Sequence, residues 1–188
     1  MASSTLSNFK GALAFGGARP SLFTMSISAP TLINTLNTDD MLTHCNVSAI
    51  PPLTVTPIER QYFGRTVKIP GDMIFGDLNT TIINNEKFTI RNDIDRWMER
   101  INTHVGNVGY SDNDSWTGEL TLTQYSKDGE SLMTWTFVDC WPQTVAEIAL
   151  SYDTASDIEQ YDVTWAYNYY TSAKGNSSNL TTTYAKQE

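Results

Sequence analysis

Alternating apolar and polar positions dominate this chain. From Ser21 to Ser28, Phe23, Met25 and Ile27 fall on one side and Leu22, Thr24, Ser26 and Ser28 on the other, the period of a half-buried strand. A second strand is predicted over Met41 to Ile50, closed by Pro51-Pro52, which force an extended exit and end a ladder. Leu78 to Asn84 reads as another. Thr117 to Ser126 alternates with Leu120 and Leu122 inward, Lys127-Asp128-Gly129-Glu130 follows, and Leu132 to Asp139 alternates again. Asp-Gly between two such runs signals a hairpin. Val145 to Tyr152 is a further strand candidate. The longest alternation, Glu159 to Tyr170, sets Tyr161, Val163, Trp165, Tyr167 and Tyr169 on one face.

Helical spacing occurs once, at Ile90, Ile94, Trp97, Met98, Ile101 and Val105, and predicts a helix over about 86–105 with Asn85 or Thr89 as its cap. Such a stripe covers a sheet. Between Pro52 and Gly76 no clean period holds, although Arg65 to Ile69 alternates like a strand. With apolar side chains at Ile58, Tyr62, Phe63, Met73, Ile74 and Phe75, this stretch is either a folded-back excursion or packed on a partner. Six or seven strands and one helix make the chain mainly β. The expected architecture is two packed antiparallel sheets, a sandwich or barrel, with one flanking α-helix and long loop excursions.

The 188 residues suffice for a core and read as a single domain, 1–188. Within it, 1–20 forms an N-terminal arm, 21–170 the β body, and 171–188 a tail that is flexible by composition. Twenty-one acidic against 12 basic residues give a net charge of -9, which argues against a protein that grips phosphates. No apolar run reaches the roughly 18–20 residues of a membrane span, and the N-terminus lacks the pattern of a signal peptide, so the chain reads as soluble.

Chemistry is sparse. The two histidines, His44 and His104, lie in unrelated stretches, and their spacing with Cys45 and Cys140 matches no metal motif. Asp112, Asn113 and Asp114 begin like a calcium loop but lack its Gly and distal Glu. The carboxylates Asp157, Glu159 and Asp162 would be the material for a glycosidase pair, and surface strands carry such groups routinely. No catalytic residue, cofactor site or metal site is assigned. On residues alone the chain is an assembling β-domain, with a monomeric glycan-binding module using Trp116, Trp141 or the Tyr-rich final strand as its rival.

Several segments together resemble the tail-tube proteins of contractile-tailed (myovirus-type) bacteriophages. They are Ala18-Arg19-Pro20 with Ser-Leu-Phe, Arg65 to Leu78 with Pro70-Gly71-Asp72 and Phe75-Gly76-Asp77, and Asn84-Asn85-Glu86 leading to Arg96-Trp97. Phe137 to Pro142, Val145 to Asp153 and Ile158 to Tyr170 follow in the same order. The resemblance implies a structural virion protein, not an enzyme, that self-assembles into hexameric rings stacked helically as the inner tail tube. Such a tube guides DNA ejection inside a contractile sheath, with DNA passing through unbound. The implied partners are further copies of the chain, the sheath protein, baseplate tube-initiation proteins, the tail terminator and the tape-measure protein, without membrane insertion or cofactor. Assembly in the host bacterial cytoplasm and residence in the phage tail follow.

The excursion of such proteins reaches into the next ring, which makes Ile58, Tyr62, Phe63, Arg65, Met73 and Phe75 the expected inter-ring or subunit interface. Asp157, Glu159 and Asp162 are the acidic candidates for the lumen. A tube subunit of a related contractile injection system and a baseplate tube initiator are the nearest alternatives.

Overall fold

The computed structural model describes residues 8–11, 17–30, 44–109, 115–153 and 157–174. In chain order the strands are β1 (Phe23–Ser28), β2 (Cys45–Ser48), β3 (Leu53–Tyr62), β4 (Arg65–Phe75), β5 (Leu78–Ile83), β6 (Gly118–Tyr125), β7 (Ser131–Val145), β8 (Gln160–Ala166) and β9 (Tyr169–Lys174). A helix, α1 (Thr89–Ile101), lies between β5 and β6. All pairings are antiparallel. One layer runs β1-β6-β7-β9 and the other β7-β8-β5-β2, so the fifteen-residue β7 belongs to both. Among the described residues β3 and β4 pair only with each other and form a separate ribbon.

The change of layer happens at one residue. Asp139 takes a left-handed backbone (φ 55°), and the register of β7 passes from β9 at Val138 to β8 at Trp141. Bulges and bends are how strands turn such corners. Asn168 fixes the corner from the other side: its N–H donates to the Val138 carbonyl at 3.1 Å and its Nδ2 to Asp139 Oδ2 at 2.8 Å.

Between the layers lies the core. Met25, Ile27, Leu120, Leu122 and Phe137 enter from the first layer, Leu78, Ile82, Tyr161, Val163 and Trp165 from the second, and Ile90, Ile94 and Trp97 from α1. The inward faces of β1, β6 and β8 are those that alternation predicts. Trp97 packs on Trp165 with ring centroids 6.0 Å apart and donates its Nε1–H to the Trp116 carbonyl at 2.6 Å. Gly118 makes room for it, since a Cβ there would stand 2.9 Å from Trp97 Cη2 and 2.6 Å from the Ser28 carbonyl oxygen.

Several expectations are corrected. The helix is shorter than 86–105 because Phe88 sits in the left-handed region (φ 52°) just before it, and Asn102 leaves in an extended conformation. Asn85 still braces the helix start, accepting from the Thr89 N–H at 3.1 Å and donating to Thr89 Oγ1 at 2.7 Å. Val105 lies beyond the helix and is exposed. Residues 146–152 are not a strand. The ladder that starts at Ser131 instead runs on to Val145, and the chain then leaves the sheet.

The single strand expected up to Tyr170 divides into β8 and β9 at the corner, and that is why Tyr169 faces solvent although it keeps the parity of Tyr161. Thr171 to Lys174, expected as flexible tail, complete β9 and pair with β7 at Thr136–Met133. Residues 175–188, most of the N-terminal arm and residues 41–43 of the second predicted strand lie outside the described residues.

Candidate functional site

The ribbon is the unusual part of the molecule. β3 and β4 turn through Phe63 and Gly64, both at positive φ (46° and 77°), as a two-residue hairpin turn requires. Glycine adopts that conformation freely, whereas an aromatic side chain is rare there. Phe63 is 89% exposed, and its ring meets Tyr62 edge-on at 4.5 Å. A bulge on β4 opposite Val55 and Pro57 shifts the register by one. That shift, together with Pro57 and Pro70, hides the hairpin from a search for regular alternation.

Past the bulge the ribbon has two unlike sides. Ile58, Arg60 and Tyr62 pair with Ile69, Val67 and Arg65, placing an apolar surface with two guanidiniums on one face. Glu59, Gln61, Thr66 and Lys68 occupy the other, where Lys68 Nζ meets Glu59 Oε1 at 3.2 Å. Ile58, Tyr62, Val67 and Ile69 are all exposed. A two-stranded ribbon alone is marginally stable, so an exposed apolar ribbon this long calls for a partner surface.

The root of the ribbon is fastened to the body. Phe75 packs on Tyr170 at 5.4 Å and on Tyr167 at 6.3 Å, and Phe137 completes the cluster. The Tyr167 hydroxyl donates to the Gly76 carbonyl, and the Gly76 N–H donates to the Pro52 carbonyl at 3.0 Å. Of the six residues expected at an interface, Ile58, Tyr62, Phe63, Arg65 and Met73 are exposed on the ribbon, while Phe75 is half-buried at its root.

The acidic candidates lie at and before β8. Asp162 is on the outward face of the second layer, where Oδ1 accepts from Thr81 Oγ1 at 2.7 Å. Around it Thr164 donates to Asn79 at 2.8 Å and Asn46 to Gln160 at 3.2 Å, a hydrogen-bonded polar lattice across β2, β5 and β8. Glu159 accepts from Asn84 Nδ2 at 2.9 Å and is half-buried, and Asp157 is exposed.

Among the described residues no group of three or more His, Cys, Asp and Glu side chains could hold a metal ion, and no helix is long and apolar enough to cross a membrane. Burial pushes the Cys45 and Cys140 thiols up to about 12, far from a reactive state. Trp116 and Trp141 stack edge-to-face on each other at 6.1 Å, and both are half-buried.

A two-layer β body that holds a long apolar ribbon away from itself defines a structural subunit, a protein made to associate. The phage tail tube protein family matches residues 6–173, and the chain belongs to that family. Its function is accordingly that of a phage tail tube protein, a structural component of the virion.

Tail tube protein gp19 of Enterobacteria phage T4 is 23% identical over 154 residues, which cover 81% of this chain and 90% of that protein, and its counterpart in Enterobacteria phage T6 matches to the same extent. In fold the chain is similar to a protein of the anti-feeding prophage baseplate (TM-score 0.65, 11% identity, 84% of this chain and 96% of that one). It is also similar to one in the sheath-tube complex of the extracellular contractile injection system PVC (TM-score 0.56, 17% identity, 87% and 97%).

Proposed function

We propose that the protein assembles with itself into six-membered rings that stack helically as a hollow inner tube, a passage for DNA with no active site. The exposed apolar face of the β3–β4 ribbon carries this function, because its burial against further copies removes a surface that a monomer leaves in water. The proposed interface comprises Ile58, Tyr62, Phe63, Arg65 and Met73, with Phe75 holding the ribbon at its root.

The polar lattice of the second layer is the proposed lumen wall. Its hydrogen bonds are satisfied within the sheet, and Asp162, with Glu159 just before β8, adds negative charge that phosphate avoids. Six copies at -9 each carry about -54 formally, a field that repels DNA instead of holding it. The sheath, baseplate tube-initiation, terminator and tape-measure proteins are the proposed partners, and the host cytoplasm the site of assembly. Solved relatives of this fold occur in sheath-tube, baseplate and tube-terminating complexes, in keeping with those partners.

Negative-stain electron microscopy of the purified protein across a concentration series, with a sizing column beside it, tests the proposal. Hollow tubes or six-fold rings are expected. A monomer that persists under all assembly conditions would overturn it. Phe63→Asp and Tyr62→Asp are expected to abolish stacking while leaving the subunit folded, since both side chains are exposed in the single chain and an unpaired charge buried in a contact costs several kcal/mol.

A further inference from the structure

The ribbon differs in charge from the rest of the chain. Residues 53–75 hold three cations (Arg60, Arg65, Lys68) and two acids (Glu59, Asp72), a net of +1, which leaves nine cations and 19 acids, or -10, for the remainder. Lys68 is paired with Glu59 on the polar side. Arg60 and Arg65 project from the apolar side, and among the described residues neither forms an ion pair. Two exposed guanidiniums set among Ile58, Tyr62, Val67 and Ile69 specify the complement: an apolar surface with carboxylates at its rim.

The same chain carries such a surface in the connection between β7 and β8. Its ends are tied to the body. The Ala146 N–H donates to the Asp162 carbonyl at 2.8 Å, Arg91 Nη1 donates to the Ala146 carbonyl at 3.0 Å, and the Asn84 N–H donates to the Glu159 carbonyl at 2.9 Å. Between these anchors Leu150, Tyr152 and Ile158 are exposed. Glu147, Asp153 and Asp157 stand among them, also exposed, and the stretch 146–159 contains no Lys or Arg.

Two other described stretches do not match. The β6–β7 turn is Ser126-Lys127-Asp128-Gly129-Glu130, without apolar side chains, and the described stretch after α1 exposes Val105 and Val108 without a carboxylate.

We infer that the apolar, arginine-bearing face of the β3–β4 ribbon docks on the β7–β8 connection of a second copy of this chain, with Arg60 and Arg65 answering Asp153 and Asp157. The inference rests on the self-assembly reading above and names the two surfaces that meet. They lie on different parts of one chain, so the contact is head-to-tail, the kind that propagates from subunit to subunit instead of ending in a closed pair.

A charge exchange tests it. Arg60→Glu with Arg65→Glu, and separately Asp153→Arg with Asp157→Arg, are each expected to raise the protein concentration needed for rings or tubes by about tenfold or more, as reversing charges at a close interface does. Circular dichroism and melting of the monomer should not change, because all four side chains reach water. Combining the four substitutions should return assembly to near the wild-type concentration in sedimentation and electron microscopy.

If wild-type protein forms tubes and either reversed pair does so equally well, the docking is overturned and the self-assembly reading stands. Loss of assembly in both pairs without recovery in the combination likewise overturns the pairing. A wild-type chain that never assembles overturns both readings.

Discussion

Trp97 shows how much a single residue holds. It is fully buried, stacks on Trp165 across the core, and spends its one donor on the Trp116 carbonyl. Trp97→Ala is expected to cost about 3–5 kcal/mol in a denaturant titration, the range for a large aromatic lost from a core. Gly118→Ala should destabilise as well, by about 1–3 kcal/mol, because the added carbon meets the Ser28 backbone, which cannot turn aside as a side chain would. The cysteines make a pH prediction. Both thiols titrate near 9 when unfolded and are raised to about 12 by burial in the fold. The unfolded chain therefore loses these protons first, so their stabilisation is complete below about pH 9 and fades between there and about pH 12. A thiol reagent at pH 8 should label neither cysteine appreciably in the folded protein and both in urea. The helix stripe and the inward positions Met25, Leu120 and Val163 were legible in the sequence because burial on one face imposes a period. Phe88 and Asp139 were not, since a left-handed backbone is rare for Phe, and Asp, which visits that region more often, occupies it in too few places for the residue type to announce it.

At the scale of elements, the ribbon depends on its root. Tyr167 bonds the Gly76 carbonyl and shares the aromatic cluster with Phe75, so Tyr167→Phe should cost about 1 kcal/mol. It should also speed amide exchange across β3 and β4 more than in β6, a difference that hydrogen exchange measures directly. Alternation found β1, β5, β6 and β8 because each lays one face on the core. It failed in several places, each for its own reason. The bulge and two prolines broke the ribbon's period, β7 runs unbroken through a proline because Pro142 lies past the corner where it joins the second layer, and β8 and β9 share one alternation although they belong to different layers. The apolar-bearing loop 146–152 resembled a strand because exposed hydrophobic side chains look in sequence like buried ones.

At the scale of the whole molecule, the lumen assignment has its own test. Tubes of the wild-type chain are expected to leave DNA open to nuclease, whereas tubes carrying Glu159→Lys and Asp162→Lys should retain protected DNA that is released as salt rises, because lysines that meet phosphates displace counterions. Equal nuclease sensitivity in both would place these residues elsewhere. The sequence by itself determined the class: a mainly β chain with one core-facing helix, an acidic balance, no clustered catalytic chemistry, and an apolar excursion, along with the ordered motifs that resemble tail tubes. Periodicity, composition and motif order are properties of neighbours along the chain, which is why they survive without coordinates. Only the tertiary structure decided that the excursion is a two-faced ribbon, that β7 turns from one layer into the other at Asp139, and that the acidic loop stands exposed. Those facts depend on contacts between residues far apart in the chain, such as Phe75 with Tyr170 and Asn168 with Asp139, and on a backbone strain that distant packing sustains.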